Sequence, residues 1–162
     1  MNEVKIKLIG DNAKLPQYAQ EGDACVDLIA TKVLSEIDDL ITYALGIATE
    51  IPKGHCMLVF PRSSIRKYDL EQTNSVGVID SGYRGEWQIT FRKTFNKEDV
   101  IKDLNLDCGE EALNLEFSNK VYKVGDRVCQ TMLVPIPKMV FNQVEELDET
   151  KRGSGGFGST GV

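Results

Sequence analysis

Apolar and polar positions alternate along much of the chain, in short runs rather than long ones. Residues 4–9 alternate from Val4 to Leu8 and end on Ile9. Residues 24–30, 43–51, 55–60, 76–79, 86–91, 127–136 and 141–146 are apolar or alternating runs rich in β-branched and aromatic side chains. A period of two over short runs predicts strands, and the Gly, Pro, Asn and Asp residues between the runs predict turns. Pro52-Lys53-Gly54 separates two runs and predicts a hairpin. Helical periodicity is scarce: Ser63 or Ser64 can cap a short helix over 65–70, and 96–106 has room for another helical turn. Many short strands with one or two brief helices predict an all-β sandwich or barrel.

Two segments break this rhythm. Residues 92–121 are acidic and weakly patterned, and far exceed what a hairpin connection needs. They predict an inserted subdomain or a long surface excursion. Residues 151–162 are mostly Gly and Ser and cannot form a packed element alone, which suits a frayed tail. Yet that tail carries Arg152 and Phe157, a cation and an aromatic that a plain linker does not need.

Composition narrows the chemistry. A chain of 162 residues, 41% apolar and 27% charged, fits one globular domain. The net charge of -6 and pI near 4.9 argue against nucleic-acid binding by counterion release. A compact anionic ligand stays open, because local donors or a metal can outweigh the global charge. His55 is the single histidine, so a histidine-rich zinc site is excluded and any triad would depend on that residue; it is expected to be structural. Chemistry falls instead to carboxylates, hydroxyls, backbone amides and a hard metal ion. Cys25, Cys56, Cys108 and Cys129 form no C-x-x-C pair. With no export signal at the N-terminus and no apolar run of membrane-spanning length, free thiols in a reducing cytoplasm are expected.

Five clusters carry candidate chemistry. Residues 153–160 have the outer glycine spacing of a phosphate loop. Ser159 stands where the lysine must be, however, and a chain end offers no strand–loop–helix context, so a Walker motif is rejected. What remains is backbone amides that can approach phosphate, the hydroxyls of Ser159 and Thr160, the bidentate cation Arg152, and Phe157 to stack on a base. Pro61-Arg62-Ser63-Ser64 offers an anion cradle or, more plainly, a helix cap. In the stretch from Asn74 to Gly85, Asp80 shares a turn with Tyr83; it can deprotonate a water or merely fix the turn. Gly125-Asp126-Arg127-Val128-Cys129-Gln130 is a turn entering a strand, where Gln130 can donate to a ligand. In Gly22-Asp23-Ala24-Cys25-Val26-Asp27-Leu28, Asp27 can hold a metal through water.

Taken in order, G-D-A-x-x-D-L, P-R-S-S, G-V-I-D-S-G-Y-R-G, G-D-R-x-x-Q and R-G-S-G-G-F-G-S-T-G resemble the five motifs of the trimeric dUTP diphosphatase (dUTPase) family. The motifs run from Gly22 to Gly161, nearly the whole chain. The resemblance implies a distorted jelly-roll-like β-barrel over 1–150 with an insertion at 92–121 and one short helix. It also implies a flexible arm, 151–162, that closes over a neighbouring active site, and a homotrimer with shared sites. It implies hydrolysis of dUTP to dUMP and pyrophosphate, which limits uracil in DNA and supplies dUMP for thymidylate synthesis. Asp80 matches the carboxylate that activates the attacking water, and Asp27 matches the acid that holds Mg²⁺ through water. Arg62, Ser63, Ser64 and Gln130 match phosphate contacts. Asn74 and the hairpin backbone at Val78, Ile79 and Gln88 match the uracil pocket, and Tyr83 matches the residue under the deoxyribose. From the arm, Phe157 is expected to cover uracil and Arg152 to meet the γ-phosphate, while Gly158, Ser159 and Thr160 close over the phosphates.

The chain departs from the family pattern in places. Cys25-Val26 replaces the usual Gly-Tyr, Ser64 stands where glycine is usual, and Gly82 stands where an acid is common. The 92–121 stretch is longer than the short hairpin of most members and resembles enlargements in some phage enzymes. Two other functions stay in view: a dCTP deaminase-related enzyme of the same fold, and a nucleotide-gated regulatory protein that binds a protein partner through 92–121.

Overall fold

A computed structural model describes residues 3–94 and 120–156. Its strands are β1 (Lys5–Leu8), β2 (Val26–Ile29), β3 (Lys32–Ile37), β4 (Leu40–Ala44) and β5 (Ile47–Glu50). They continue with β6 (His55–Pro61), β7 (Leu70–Gln72), β8 (Gly77–Asp80), β9 (Gln88–Lys93) and β10 (Arg127–Pro135). Among the described residues one 3-10 helix, Ser63–Lys67, joins β6 to β7. The all-β expectation holds.

Among the described residues every ladder is antiparallel, in sheets ordered β1-β5, β2-β10-β6-β8 and β3-β4-β9-β7. Among the described residues these sheets do not close into a barrel, so the jelly-roll-like architecture consists of open sheets around one core. Alternating positions of both four-stranded sheets fill that core, with Tyr43, Phe91 and Trp87 its largest buried side chains. Tyr43 and Phe91 meet edge to face at 6.1 Å. The Tyr43 hydroxyl donates to the Tyr122 carbonyl at 2.7 Å, so the phenol is buried without an orphaned proton.

Several elements differ from the sequence expectation. The run 43–51 is not one strand: Gly46, at φ +67, ends β4 and starts β5 in a different sheet. Only glycine fits there, since a Cβ would lie 2.6 Å from Thr31 Cγ2. The expected helix over 65–70 is a 3-10 turn that starts earlier. Arg62 is its N-cap, in extended geometry with no side-chain cap, and Leu70 already belongs to β7. Residues 141–146 form no strand, and among the described residues nothing pairs with them. The helical turn expected at 96–106 and nearly all of the 92–121 insertion lie outside the described residues. Among the described residues, no helix is long and apolar enough to cross a membrane.

Candidate functional site

Asp27 sits at the centre of the most polar cluster. In β2 the alternation turns Leu28 into the core and leaves Asp27 on the other side of the strand. There it meets two guanidinium groups. Arg62 Nε donates to Asp27 Oδ1 at 2.6 Å and Arg62 Nη2 to Oδ2 at 3.1 Å, a bidentate pair. Arg127 Nη1 donates to the same Oδ2 at 3.0 Å. The Arg62 and Asp27 side chains are 25% and 21% exposed, so this pair is partly desolvated.

The spacing of G-D-R-x-x-Q follows from a bulge. In a regular strand, residues three apart point to opposite faces. The β10–β2 register shifts between Arg127 and Cys129, and Val128 and Cys129 are both buried in succession. The extra residue returns Gln130 to the side of Arg127, so both line the same hollow. Gln130 lies opposite Asp27 on one neighbour and Phe60 on the other. Its Nε2 donates to the Pro61 carbonyl at 3.0 Å, which ties β10 to the start of the 3-10 turn. In that turn Arg62 Nη1 donates to Ser64 Oγ at 3.1 Å, and Ser63 is exposed beside it. The resulting hollow of about 320 Å³ is lined by Asp23, Cys25, Asp27, Arg62, Arg127 and Gln130. Burial, then the Asp27 charge, pushes the Cys25 thiol up, so it stays protonated at neutral pH.

The donor set fits a hydrated divalent cation and not a directly ligated one. Two carboxylate oxygens offer about four lone-pair positions. Three N–H groups occupy Asp27 already, leaving room for one metal-bound water. Among the described residues no group of three or more His, Cys, Asp or Glu side chains is placed to hold a metal. Such a cation would draw its remaining ligands from a phosphate chain and water, as Mg²⁺ commonly does.

Asp80 stands elsewhere. It ends β8, opposite Cys56 of β6, and its carbonyl accepts the Tyr83 N–H at 3.1 Å in the turn that follows. Tyr83 lies back over Gly85, where a Cβ would come within 2.6 Å of the ring Cζ, and its hydroxyl donates to the Glu86 carbonyl at 3.1 Å. Val76, Val78 and Tyr83 expose apolar surface on this segment, while Asn74 packs its amide against Gly77. Val78 and Ile79 lie on β8, at the edge of its sheet. Gln88 instead opens β9 in the other four-stranded sheet, opposite Ala44, so these three backbone positions do not share a hairpin ladder.

The structure therefore brings Asp27, Arg62, Ser64 and Gln130 together and keeps Asp80 apart. β2 and β8 are opposite edges of one sheet, separated by β10 and β6. Three strand spacings amount to roughly 14 Å. Along β10, Asp80 is level with Val134 and Asp27 with Gln130, a further offset of about 13 Å. Arg152 is exposed on the far C-terminal segment, its Nε donating to the Gly155 carbonyl at 2.9 Å. Phe157, Gly158, Ser159 and Thr160 lie outside the described residues. Sequence reasoning missed Arg127 as a site residue. Its signal is present in G-D-R-x-x-Q, where the local pattern marks only a turn entering a strand.

Comparisons with known proteins agree with this fold. The dUTPase family model matches residues 11–105 and 107–161. Deoxyuridine 5'-triphosphate nucleotidohydrolase of Desulfitobacterium hafniense is 38% identical, with 100% of this chain and 99% of that protein covered. The enzyme of the same name from Cutibacterium acnes is 31% identical over 100% of this chain and 95% of its own length. The solved dUTPase of Staphylococcus bacteriophage 80alpha with dUPNHPP superposes with a TM-score of 0.74 at 27% identity, covering all of both chains. The chain belongs to the dUTPase family.

Proposed function

We propose that this chain, a dUTP diphosphatase by family, hydrolyses dUTP with sites that are each completed by more than one copy. What supports the reading is the separation of Asp27 and Asp80 on opposite edges of one sheet, β2 and β8. On one edge, Arg62, Ser63, Ser64 and Gln130 bind the phosphate chain, with Arg127 beside them. On the other, Asn74, Val78 and Ile79 receive uracil together with Gln88 of the second four-stranded sheet, and the Tyr83 ring lies under the deoxyribose and excludes a 2′-hydroxyl. A neighbouring copy then supplies the half that one chain holds too far away.

The chemistry is an in-line displacement. Asp80 accepts a proton from water, the water oxygen bonds to the α-phosphorus, and the bond from that phosphorus to the α,β-bridging oxygen breaks. The electron pair leaves with pyrophosphate, and dUMP remains. Little covalent work falls to the protein, so positioning and charge neutralisation dominate. Asp27 would hold a water of a hydrated Mg²⁺, and that ion would supply charge neutralisation to the triphosphate. Arg152 meets the γ-phosphate, and Phe157 to Thr160 close over base and phosphates to exclude bulk water.

The segment after β10 supports assembly into a homotrimer. Ile136 is still tied to Gly54 by its N–H, at 2.7 Å. Beyond it, Val140 and Phe141 are 93% and 88% exposed, with Met139 and Leu147 close behind. A run of large apolar side chains left open to water is a surface for another copy.

Pyrophosphate release from dUTP, dTTP, dCTP and UTP tests the reading. Turnover confined to dUTP is expected. Deamination of dCTP without pyrophosphate release from dUTP would replace it with the deaminase reading.

A further inference from the structure

Gln72 is polar where the alternation of β7 calls for an apolar side chain. Leu70 and Gln72 are buried while Glu71 between them is exposed, and Gln72 lies opposite Phe91 of β9 at 4% exposure. Its Nε2 donates to the Val59 carbonyl at 3.3 Å, on β6 of the other four-stranded sheet. Its Oε1 is buried and, among the described residues, meets no donor. An unmet buried acceptor costs stability that an apolar side chain of the same size would not.

The place of that one bond gives it a use. β7 ends at Gln72 in one sheet and β8 starts at Gly77 in the other, so residues 73–76 cross between the sheets. Val59 pairs with Gly77 at the end of the β6–β8 ladder. The Gln72 amide therefore joins the two feet of the crossing. At the first foot the Thr73 N–H and hydroxyl both donate to the Thr90 carbonyl, each at 3.1 Å. At the second, the exposed Asn74 lays its amide over Gly77. A Cβ on Gly77 would lie 3.4 Å from Asn74 Nδ2 and 3.3 Å from Val59 Cβ.

We propose that Gln72 is a positioning residue whose amide clips the 73–76 crossing at its base and so fixes Asn74 over Gly77 for contact with uracil. The inference rests on the reading of Asn74 as a base contact and extends it to a residue outside the five motifs. A hydrogen bond between sheets sets both a direction and a length, which apolar packing alone does not. Without it the crossing is held at Thr73 only, and ordering Asn74 is left for the base to do on binding. The loss then falls on recognition of the base. Proton transfer at Asp80 and the phosphate contacts around β2 and β10 are spared.

Gln72→Met isolates the amide, because methionine keeps the length of the side chain and fills the same space. The melting temperature is expected to be unchanged or higher, since one long hydrogen bond and one unmet acceptor are removed together. KM for dUTP and Kd for its imido analogue are expected to rise about fivefold, the equivalent of one neutral hydrogen bond. The kcat and the Kd for pyrophosphate should stay at wild-type values. Gln72→Leu removes the same amide and should give the same split. In an Asn74→Ala background, Gln72→Met should cause no further loss. Unchanged KM and Kd in both Gln72 variants would overturn the inference. Equal weakening of pyrophosphate binding would do so too, as would an undiminished loss in the Asn74→Ala background, since either assigns Gln72 a general packing role. If Asn74→Ala alone binds the analogue as wild type does, the base-contact reading falls and takes this inference with it. Failure of the Gln72 variants alone leaves that reading standing.

Discussion

Replacing Asp27 with asparagine tests the cradle from two sides at once. The carboxylate accepts three charge-assisted hydrogen bonds, at 2.6, 3.1 and 3.0 Å. An amide keeps one acceptor oxygen and turns an NH₂ group toward the remaining donors. Arg127 is 57% exposed and regains water at little cost. Arg62 is only 25% exposed, so its half of the cluster carries most of the penalty. A charge-assisted bond lost from a partly buried pair costs about 2 kcal/mol, well short of the figure for a fully buried one. For a chain of this length that corresponds to a melting temperature lower by about 4–8 °C. Binding should move the other way. Asp27 competes with a phosphate chain for Arg62, so in EDTA the Asp27→Asn protein should bind the imido analogue of dUTP at least as tightly as wild type. With Mg²⁺ its turnover should fall sharply. Scanning calorimetry and equilibrium titration give both numbers. An unchanged melting temperature together with weaker metal-free binding would refute the reasoning.

Other perturbations address separate parts of the molecule. Asp80→Asn should fold and bind the analogue normally while turnover falls about 10²–10⁴-fold in a pyrophosphate assay, the loss expected of a missing general base. Removing 151–162 should leave the melting temperature unchanged and cripple turnover; an unaffected rate would make that segment a plain tail. Gly46→Ala meets both a φ of +67 and a Thr31 methyl 2.6 Å away, and should cost about 2–4 kcal/mol in a denaturant titration. Cys25 is pushed up by burial and then by Asp27, so its alkylation should rise at higher pH than that of a free thiol. In the Asp27→Asn protein that pH profile should shift downward.

Much of this was legible in the residues because burial writes a period of two into a strand. The runs at 4–9, 24–30, 55–60, 76–79, 86–91 and 127–136 each hold a strand. β3 was not anticipated, since it is mostly exposed on both faces and Val33, Leu34 and Ile37 mark no consistent side. β7 is three residues long, too short to show a period. Residues 141–146 carry Phe141 and Val144 without strict alternation, and among the described residues no strand pairs with them. At the site, local pattern shows residue types, and only the family resemblance groups Arg62, Ser63, Ser64 and Gln130 as phosphate contacts. The bulge that sets Arg127 and Gln130 on one side depends on β2, about a hundred positions away in sequence. The separation of Asp80 from Asp27 depends on the order of strands in a sheet, which no local pattern encodes.

Mixing two inactive chains tests the sharing of sites most directly. An Asp80→Asn chain keeps an intact cradle, and an Arg62→Ala chain keeps an intact Asp80 edge. Each alone should release almost no pyrophosphate from dUTP. If sites form between copies, unfolding and refolding an equal mixture should restore about a quarter of wild-type activity, the fraction of interfaces that join two intact halves at random. Activity no greater than the sum of the two separate chains would place the whole site within one copy and contradict the reading.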